Sequence, residues 1–361
     1  MVWKKFKAFQ KKYERFMMPG ALLLGFLVDT ITLSRIDGQL DNIILFGYLF
    51  LAGISIVLLS LLRAHKISHR IKERVAIITP LILQYAFGGL FSGFIIFYSQ
   101  SATLATSWPF LFTLVGLFIG NEVFKDKYTR PLYHLSVFFI ALFSFSIFFI
   151  PVLIKHMGAL VFLLSGFITL LITAGFLWVL RKINADEFEQ IKTKTTRTLL
   201  TIFILFNILY FTNVIPPLPL SLKDSGIYHN IERSGNNFII SAQKPRWFRF
   251  LSDFATEIEL PPGKPLYAYS AIFAPTNLET TILHRWSYRD PQKHEWVTIV
   301  NIPFPITGGR EDGYRGFTFS QNVWPGRWRL DVITEREQLL GRTEFEVIRS
   351  FDLPELRTIT K

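Results

Sequence analysis

The stretch GGREDGYRGFTFSQNVWPGRWR, residues 308–329, brings glycines, arginines and aromatic residues together more densely than any other part of the 361-residue sequence. At its end the pattern has a period of two, because Trp328, Leu330 and Val332 alternate with charged residues. That period predicts a β-strand with one buried face, and the glycine-containing dipeptides predict turns. The stretch therefore predicts the framework of a small β domain.

Strand patterns of the same kind occur on both sides of this stretch. Apolar or aromatic residues alternate with other residues at Tyr267, Tyr269, Ala271 and Phe273, at Ile282, His284, Trp286 and Tyr288, and at Phe345 and Val347. Turn-forming residues such as Pro261-Pro262-Gly263 and Asp290-Pro291 separate these segments. We expect about six or seven short strands over residues 250–350, folded as an all-β, immunoglobulin-like antiparallel sandwich.

The sequence before residue 216 is typical of a membrane protein. Hydrophobic residues make up 50% of the chain, only 18% are charged, and the mean hydropathy is positive, which excludes an ordinary soluble protein. Most of its apolar segments approach the roughly 20 residues that a helix needs to cross a bilayer. They cover residues 19–35, 42–62, 75–98, 104–124, 132–154, 157–180 and 198–215. The sequence predicts an all-α membrane bundle of seven transmembrane helices over residues 19–215.

The distribution of basic residues predicts the orientation of these helices. With the N-terminus inside, the intracellular segments hold 19 of the 21 Lys and Arg residues that precede Pro216; these segments are 1–18, 63–74, 125–130 and 181–197. Because Lys and Arg accumulate on the cytoplasmic side of membrane helices, the N-terminus is predicted to be cytoplasmic. Seven spans then place the β domain on the extracytoplasmic side.

Three further segments complete the predicted domain organisation. Residues 1–18 carry aromatic residues on one helical face together with six Lys or Arg residues, which favours a basic amphipathic helix on the cytoplasmic membrane surface. A cleaved signal peptide is the alternative, but no A-x-A site follows the apolar run. Residues 216–249 begin with a proline-rich run and are predicted to be an exposed linker, and residues 351–361 a C-terminal tail.

The surplus of basic residues does not indicate nucleic-acid binding. The formal net charge is +12, but 21 basic and 10 acidic residues precede Pro216, whereas 18 basic and 17 acidic residues follow it. The excess therefore belongs to the membrane part, where cytoplasmic loops and anionic headgroups account for it. No base-reading motif is present. The sequence has no cysteine, which removes disulfides and thiolate metal sites from consideration.

Four motifs carry a resemblance to a known family. They are HRWSYRD at 284–290, GGREDGYRGF at 308–317, PGRWRLDV at 325–332 and LLGRTEFEV at 339–347. Residues 250–350 resemble the C-terminal domain of bacterial polytopic membrane proteins that is called domain of unknown function 2914, or DUF2914. The resemblance implies a β domain in the cell envelope, held by helices in the bacterial cytoplasmic (inner) membrane. It implies no reaction, substrate, cofactor or catalytic residue.

Arginine and aromatic side chains of this domain are the candidate ligand-binding residues. Arg310, Tyr314 and Arg315 lie in or just after a glycine-punctuated loop, where backbone amides and guanidinium groups suit a carboxylate or a phosphate. Trp286 and Trp328 would add a face for a sugar or an acidic glycan. The structural alternative assigns the glycines to a turn, the arginines to cross-strand ion pairs and the tryptophans to the core.

Asp29 is the candidate intramembrane polar residue, because a carboxylate inside a span costs about a few kcal/mol. It would bind a proton or a cation, or pair with an arginine; the alternative is a position at the outer interface, six residues before Arg35. His65 and His69 have the i, i+4 spacing of a metal pair, but their loop is strongly basic, so we predict no metal site. No catalytic residue and no cofactor can be named.

Two hypotheses of function remain. The first is a membrane-tethered binding or assembly module whose sandwich engages an envelope glycan, a lipid headgroup or another envelope protein, with the lipid bilayer around its helices. The alternative is a transporter or channel that uses the helices, with the sandwich as an accessory domain and Asp29 as the candidate relay. An enzyme is the weakest class, because the sequence provides no ordered acid, base and nucleophile.

Overall fold

The computed structural model describes residues 26–33, 36–101, 104–123, 131–235, 237–244, 256–275, 278–308, 313–352 and 354–361. The chain forms two compact units, one helical and one rich in β-strands. The predicted amphipathic segment, residues 1–18, lies outside the described residues.

The helical unit begins with a helical segment at residues 26–32. It continues with α1 (Gln39–Arg63), α2 (His69–Ser101), α3 (Leu104–Val123), α4 (Pro131–Ile154), α5 (Ala159–Ile183) and α6 (Ala185–Phe211). In the described part of the chain, four helices are long and apolar enough to cross a membrane: Gln39–Arg63, Ile71–Ser101, Pro131–Ile154 and Ala159–Ile183. The chain is therefore a multi-pass membrane protein. The sequence predicts seven spans, and four helices meet these limits among the described residues, which leave out residues 19–25 of the first predicted span.

Helices α3 and α6 are not long and apolar enough to meet the criteria for a membrane span, and the sequence explains why. The apolar part of α3 is only Thr106–Asn121. Helix α6 opens with the polar run ADEFEQIKTKTTR, so an apolar window occurs only in its second half. That opening is nonetheless well suited to a helix start, because the Asn184 side chain accepts a hydrogen bond from the backbone N–H of Glu187 at 3.3 Å.

Aromatic side chains form the core of the helical unit. Phe148 of α4 lies 6.2 Å from Phe94 and 5.7 Å from Phe97 of α2, measured between ring centroids, and both pairs meet edge to face. One turn earlier, Phe143 stacks on Phe206 of α6 at 4.8 Å. Since lipid is as apolar as these side chains, such close packing is the main attraction available between membrane helices.

The described residues of the β unit form eleven strands. They are β1 (Ser221–Tyr228), β2 (Asn230–Ser234), β3 (Asn237–Gln243), β4 (Thr256–Leu260), β5 (Leu266–Phe273), β6 (Glu279–Arg289), β7 (Trp296–Thr307), β8 (Tyr314–Ser320), β9 (Gly326–Thr334), β10 (Leu339–Arg349) and β11 (Leu356–Thr360). They form a five-stranded sheet in the order β4-β10-β9-β6-β7 and two three-stranded sheets, β1-β5-β8 and β11-β3-β2. All pairs are antiparallel except β4 and β10, which run parallel.

The five-stranded sheet and the β1-β5-β8 sheet enclose the sandwich core. Its two parts centre on Ile272, Ile282 and Val332, and on Trp286 and Trp328, all of which are fully buried or nearly so. The third sheet covers the other side of β1-β5-β8 through a smaller cluster. The sandwich that the alternation pattern predicts is therefore present, with an additional layer.

The additional layer differs from the sequence expectation for residues 216–249 and 351–361. The structure places β1, β2 and β3 in the first of these segments and β11 in the second. The physical reason lies in the pairing, because β3 is flanked by β2 on one side and by β11 on the other, more than 100 residues away in sequence. Short strands of this kind gain their stability from tertiary partners and from one shared cluster, rather than from a local pattern.

Strand β5 shows why the third sheet is needed. Tyr269 and Ala271, which the alternation places on one face, pack against β2 and β3. The residues that alternate with them, such as Ala268 and Ile272, face the sandwich core instead. Strand β5 is thus buried on both faces, and its aromatic face would be exposed to water without the additional layer.

Candidate functional site

The two tryptophans that the sequence singles out lie in the core. Trp286 and Trp328 each have 0% exposure and belong to the same cluster. Trp286 meets Phe345 edge to face, with ring centroids 6.1 Å apart. Neither indole presents a face to solvent, so neither forms a surface platform for a sugar in this structure.

Tyr314 and Arg315 are brought to opposite faces of strand β8. Tyr314 lies opposite Ile272 and packs against the sandwich core, whereas Arg315 lies opposite Ala271 on the face that the third sheet covers in part. Burial raises the pKa of Tyr269 on that face, and the nearby cations Lys361 and Arg315 oppose the rise. The third loop candidate, Arg310, lies outside the described residues. The structure therefore does not join Tyr314 and Arg315 into one site.

The glycines around this loop have a structural role. Gly313 has φ +85°, a left-handed conformation that favours glycine, and a Cβ there would lie 2.8 Å from the backbone carbon of Ile272. A Cβ on Gly308 would lie 1.8 Å from the carbonyl oxygen of Pro275. Both positions let the loop approach neighbouring backbone more closely than any side chain permits.

An exposed tryptophan lies in the same stretch, at Trp324. It is 39% exposed and occupies the loop between β8 and β9. Its ring centroid lies 5.0 Å from that of Tyr288 and 4.9 Å from that of buried Trp328. These three residues form a continuous aromatic surface that begins in the core and ends at solvent, and we call it the Trp324 platform.

Two local features hold the platform in place. The Nε1 of Trp328 donates a hydrogen bond to the carbonyl oxygen of Trp324 at 2.8 Å, so a buried side chain fixes the loop. Gly326 has φ +130°, and a Cβ there would lie 2.8 Å from the Tyr288 ring. The glycine therefore leaves room for Tyr288 to lie under the loop. The resulting surface has the geometry to receive an apolar or π-bonded ligand face.

Sequence reasoning missed Trp324, although a signal was available. Trp324 immediately precedes Pro325-Gly326 and belongs to no run of two-residue alternation, whereas Trp328 begins such a run. A tryptophan in a turn segment has no core strand to bury it, so an exposed position follows from the turn itself.

Three arginines of the five-stranded sheet, Arg285, Arg329 and Arg342, form ion pairs with carboxylates. Arg342 of β10 and Arg285 of β6 both lie opposite Asp331 of β9. Arg285 also donates to Glu337 at 2.7 Å. In the next row Arg329 lies opposite Glu344. Arginine and carboxylate residues therefore alternate along these rows of the sheet.

His284 is held in a fully buried polar network. Its Nε2 lies 2.7 Å from the hydroxyl of Ser270, and its Nδ1 lies 2.8 Å from the hydroxyl of Thr318. Burial lowers the pKa of His284 to about 3, so the imidazole is neutral near pH 7. The serine contact resembles a nucleophile and base, but a threonine takes the place of the orienting acid and no solvent reaches the group. The network joins strands of the two facing sheets.

Asp29 lies in the helical segment 26–32 and is partly exposed. It faces Ser92 of α2, and it is close enough to Tyr48 of α1 to interact electrostatically. The hydroxyl of Tyr48 in turn lies 3.4 Å from that of Tyr85. The structure therefore places Asp29 in a small polar group between helices, and Arg35 lies outside the described residues.

The histidine pair in the loop after α1 has a cationic neighbour. Lys72 Nζ lies 3.1 Å from Nδ1 of His65, which is the spacing of a hydrogen bond from the ammonium group. Within the described ranges, no group of three or more His, Cys, Asp or Glu residues has the arrangement of a metal site.

Comparison with solved structures finds only distant similarity. A β-glucosidase from Listeria innocua in complex with isofagomine is 16% identical, with a TM-score of 0.20, over 28% of this chain and 16% of that chain. An immunoglobulin-like protein from Pseudomonas aeruginosa is 15% identical, with a TM-score of 0.21, over 36% of this chain and 98% of that chain. The alkylpurine DNA glycosylase AlkC of Pseudomonas fluorescens, bound to DNA containing an abasic site analog, is 10% identical, with a TM-score of 0.24, over 87% of this chain and 100% of that chain.

These TM-scores are too low to support an argument about fold or function, and this chain spans less than a fifth of the β-glucosidase. No curated protein matches the chain. A family model does match the C-terminal region and includes all four of the motifs quoted above. The family matched by residues 279–347 is the one described as protein of unknown function (DUF2914).

Proposed function

We propose that this protein is a membrane-anchored binding module of the bacterial cell envelope, and that its β domain binds a glycan on the Trp324 platform. The observation that carries the proposal is the exposed Trp324 ring, which packs on Tyr288 and is fixed by the hydrogen bond from Trp328. Aromatic residues that are held rigidly and partly exposed are the usual anchors of binding surfaces.

A sugar ring suits this surface better than an anion does. The C–H groups on one side of a pyranose are apolar and weakly positive, so they complement the electron-rich face of an indole. A carboxylate or phosphate would need cations that are not already engaged, yet Arg329 and Arg342 pair with Asp331 and Arg285 pairs with Glu337. A lipid headgroup and another envelope protein are the competing ligands, and the binding experiment separates them.

The membrane arrangement that accompanies this proposal has seven transmembrane helices in the cytoplasmic membrane. The N-terminus is cytoplasmic and the β domain extracytoplasmic. The distribution of Lys and Arg supports this orientation.

The proposal is tested with the full-length protein in detergent micelles or nanodiscs. Binding is measured against peptidoglycan fragments, lipopolysaccharide, phospholipid vesicles and envelope protein extracts. We expect retention on one glycan and a loss of affinity in Trp324→Ala of about 2 kcal/mol, roughly 30-fold, because the residue would be the central anchor.

The matched control is Phe319→Ala, which removes a 51% exposed aromatic residue from a strand outside the platform. We expect its glycan affinity to equal that of the unchanged protein. Retention on vesicles or on a protein instead of a glycan would contradict the choice of ligand. An equal loss in both variants would contradict the choice of site.

A transporter or channel remains the second candidate function, and the polar group around Asp29 favours it. A carboxylate beside Ser92 and Tyr48 is the described arrangement that could exchange a proton or hold a cation between helices. Proton or cation flux into proteoliposomes is measured for the unchanged protein and for Asp29→Asn. Flux that depends on Asp29 would support transport, and unchanged flux in Asp29→Asn would remove this candidate relay.

A further inference from the structure

A groove of about 570 Å³ lies within the helical unit, between α1, α4 and α5. Its size falls within the range of roughly 300–1,000 Å³ found for small-molecule sites. Helix α1 lines it from Phe46 to Leu58, α4 from Phe138 to Leu153, and α5 from Ile168 to Phe176. Apart from Ser146, every lining residue is apolar.

The floor of the groove is closed by contacts between all three helices. A Cβ on Gly53 of α1 would lie 3.7 Å from the Phe138 ring and 3.9 Å from the Phe176 ring. The centroids of these two rings are 4.9 Å apart, which joins α4 to α5. Toward the rim, Phe50 is 62% exposed and Ile172 is 48% exposed. The groove therefore has a packed floor and opens to the surroundings of the helices.

The chemistry of the lining excludes a polar occupant. The hydroxyl of Ser146 donates to the carbonyl oxygen of Leu142 in its own helix, at 2.8 Å, so it is already engaged. A polar group placed here would lose its water without gaining a partner, which is strongly unfavourable. Only a hydrocarbon occupant avoids this cost.

The shape of the groove favours a flexible chain over a helix. Membrane helices associate through small residues or through polar pairs. The rim of the groove instead presents the large side chains of Phe46, Phe50 and Ile172. The small residue Gly53 is covered by two neighbouring phenylalanine rings, so it offers no contact to another helix. The lining of α1 extends over 13 residues, from Phe46 to Leu58, or about 18 Å for twelve steps of 1.5 Å. That length is close to the roughly 15 Å of hydrocarbon in one leaflet.

The described part of the N-terminal segment lies elsewhere and does not fill the groove. Phe26 packs against Phe118 of α3, with ring centroids 5.8 Å apart, and Leu33 packs at Gly93 of α2. We propose that the groove is a binding site for one acyl chain of a bilayer phospholipid, which the protein retains apart from the exchanging lipid around it. The site is independent of the glycan-binding function proposed for the β domain.

The first experiment counts retained phospholipids by native mass spectrometry of the full-length protein as detergent removes lipid. Ile172→Trp replaces a side chain of the groove with a much larger one. The matched control is Leu171→Trp, which changes a residue of the same helix that is 56% exposed and does not line the groove. We expect one phospholipid to persist in the unchanged protein and in Leu171→Trp, and its occupancy to fall at least tenfold in Ile172→Trp. Equal retention in all three proteins would overturn the proposal.

A second experiment does not depend on a variant. The unchanged protein is reconstituted in vesicles that contain a phospholipid with a photoreactive acyl chain, and the labelled peptides are mapped. We expect labelling to concentrate on groove residues such as Ile54 and Ile172, above that of exposed residues outside it such as Leu171. Even labelling of all exposed apolar residues would overturn the proposal, as would labelling that spares the groove residues.

Discussion

Arg342 holds Asp331 with two hydrogen bonds, one from Nε to Oδ1 at 2.6 Å and one from its terminal nitrogen to Oδ2 at 3.0 Å. Asp331 is only 3% exposed, and the Nε of Arg329 lies 3.4 Å from the same carboxylate. One buried carboxylate thus organises two guanidinium groups on neighbouring strands. This arrangement specifies the register of β9 and β10 more strictly than apolar alternation does.

Asp331→Ala is expected to destabilise the β domain by about 1–3 kcal/mol, because it leaves the partly buried guanidinium groups of Arg329 and Arg342 without their carboxylate partner. The measurement is urea denaturation of the full-length protein in micelles, followed by tryptophan emission. The exposed residue Glu335 provides the control, since Glu335→Ala is expected to change stability by less than about 0.5 kcal/mol. Similar denaturation midpoints for Asp331→Ala and Glu335→Ala would show that the ion pair of Asp331 does not stabilise the β domain.

The two buried indoles are expected to respond differently to the loss of their N–H group. Trp328→Phe removes the hydrogen bond to Trp324, whereas the Nε1 of Trp286 has no hydrogen-bond partner among the described residues. Trp328→Phe is therefore expected to cost about 1–2 kcal/mol more than Trp286→Phe in the same denaturation experiment. It is also expected to weaken glycan binding while Trp324 is intact. Equal glycan affinity in Trp328→Phe and Trp286→Phe would show that the hydrogen bond to the Trp324 loop does not contribute to binding.

His284 is expected to make the stability of the β domain depend on pH. Burial lowers its pKa from 6.5 to about 3, so below pH 6.5 the unfolded chain takes up a proton that the folded chain does not. Stability is therefore full above pH 6.5 and falls as the pH decreases toward 3. The loss at pH 5 is expected to be about 2 kcal/mol. Denaturation midpoints between pH 7 and pH 5 measure it.

The matched variant for this pH experiment is His284→Gln, which keeps a hydrogen-bonding side chain but does not titrate. Its stability is expected to be lower at pH 7 and to vary less between pH 7 and pH 5 than that of the unchanged protein. If stability decreases equally between pH 7 and pH 5 in both proteins, the pH dependence is due to other titratable groups and not to His284.

The orientation of the chain is tested with reporter fusions. A periplasm-active reporter placed after Lys361 is expected to function, and a cytoplasm-active reporter at the same position is expected to be silent, because seven spans and a cytoplasmic N-terminus place this residue outside. A fusion in the basic loop at His65 is expected to show the reverse pattern. Activity of the cytoplasmic reporter after Lys361 would contradict the proposed orientation.

The parts of the fold that sequence predicts are those where one local pattern decides the structure. Leu330, Val332 and Phe345 alternate with charged residues and are buried in the sandwich core. The apolar segments of α1 and α4 are long enough for a bilayer and appear as single helices. In both cases the local hydrophobic pattern and the tertiary environment favour the same secondary structure.

The parts that sequence does not predict depend on distant partners. Strand β11 pairs with β3 across more than 100 residues, and β4 pairs in parallel with β10, so neither leaves a signal in the nearby sequence. The tryptophans illustrate the same limit for the site. Residue type and neighbourhood made Trp286 and Trp328 candidates, but the facing sheet buries both of them, whereas Trp324 is 39% exposed.

The hydrogen bond that fixes the Trp324 loop has a consequence for the kinetics and entropy of recognition. A loop that already holds its bound conformation gives up little freedom when a ligand arrives, so most of the contact energy appears as affinity. Association is then governed by encounter rather than by rearrangement of the loop. A single shallow contact of this kind releases its ligand quickly, and many copies in one membrane would convert that weak, rapid exchange into firm adhesion to a repeating polymer.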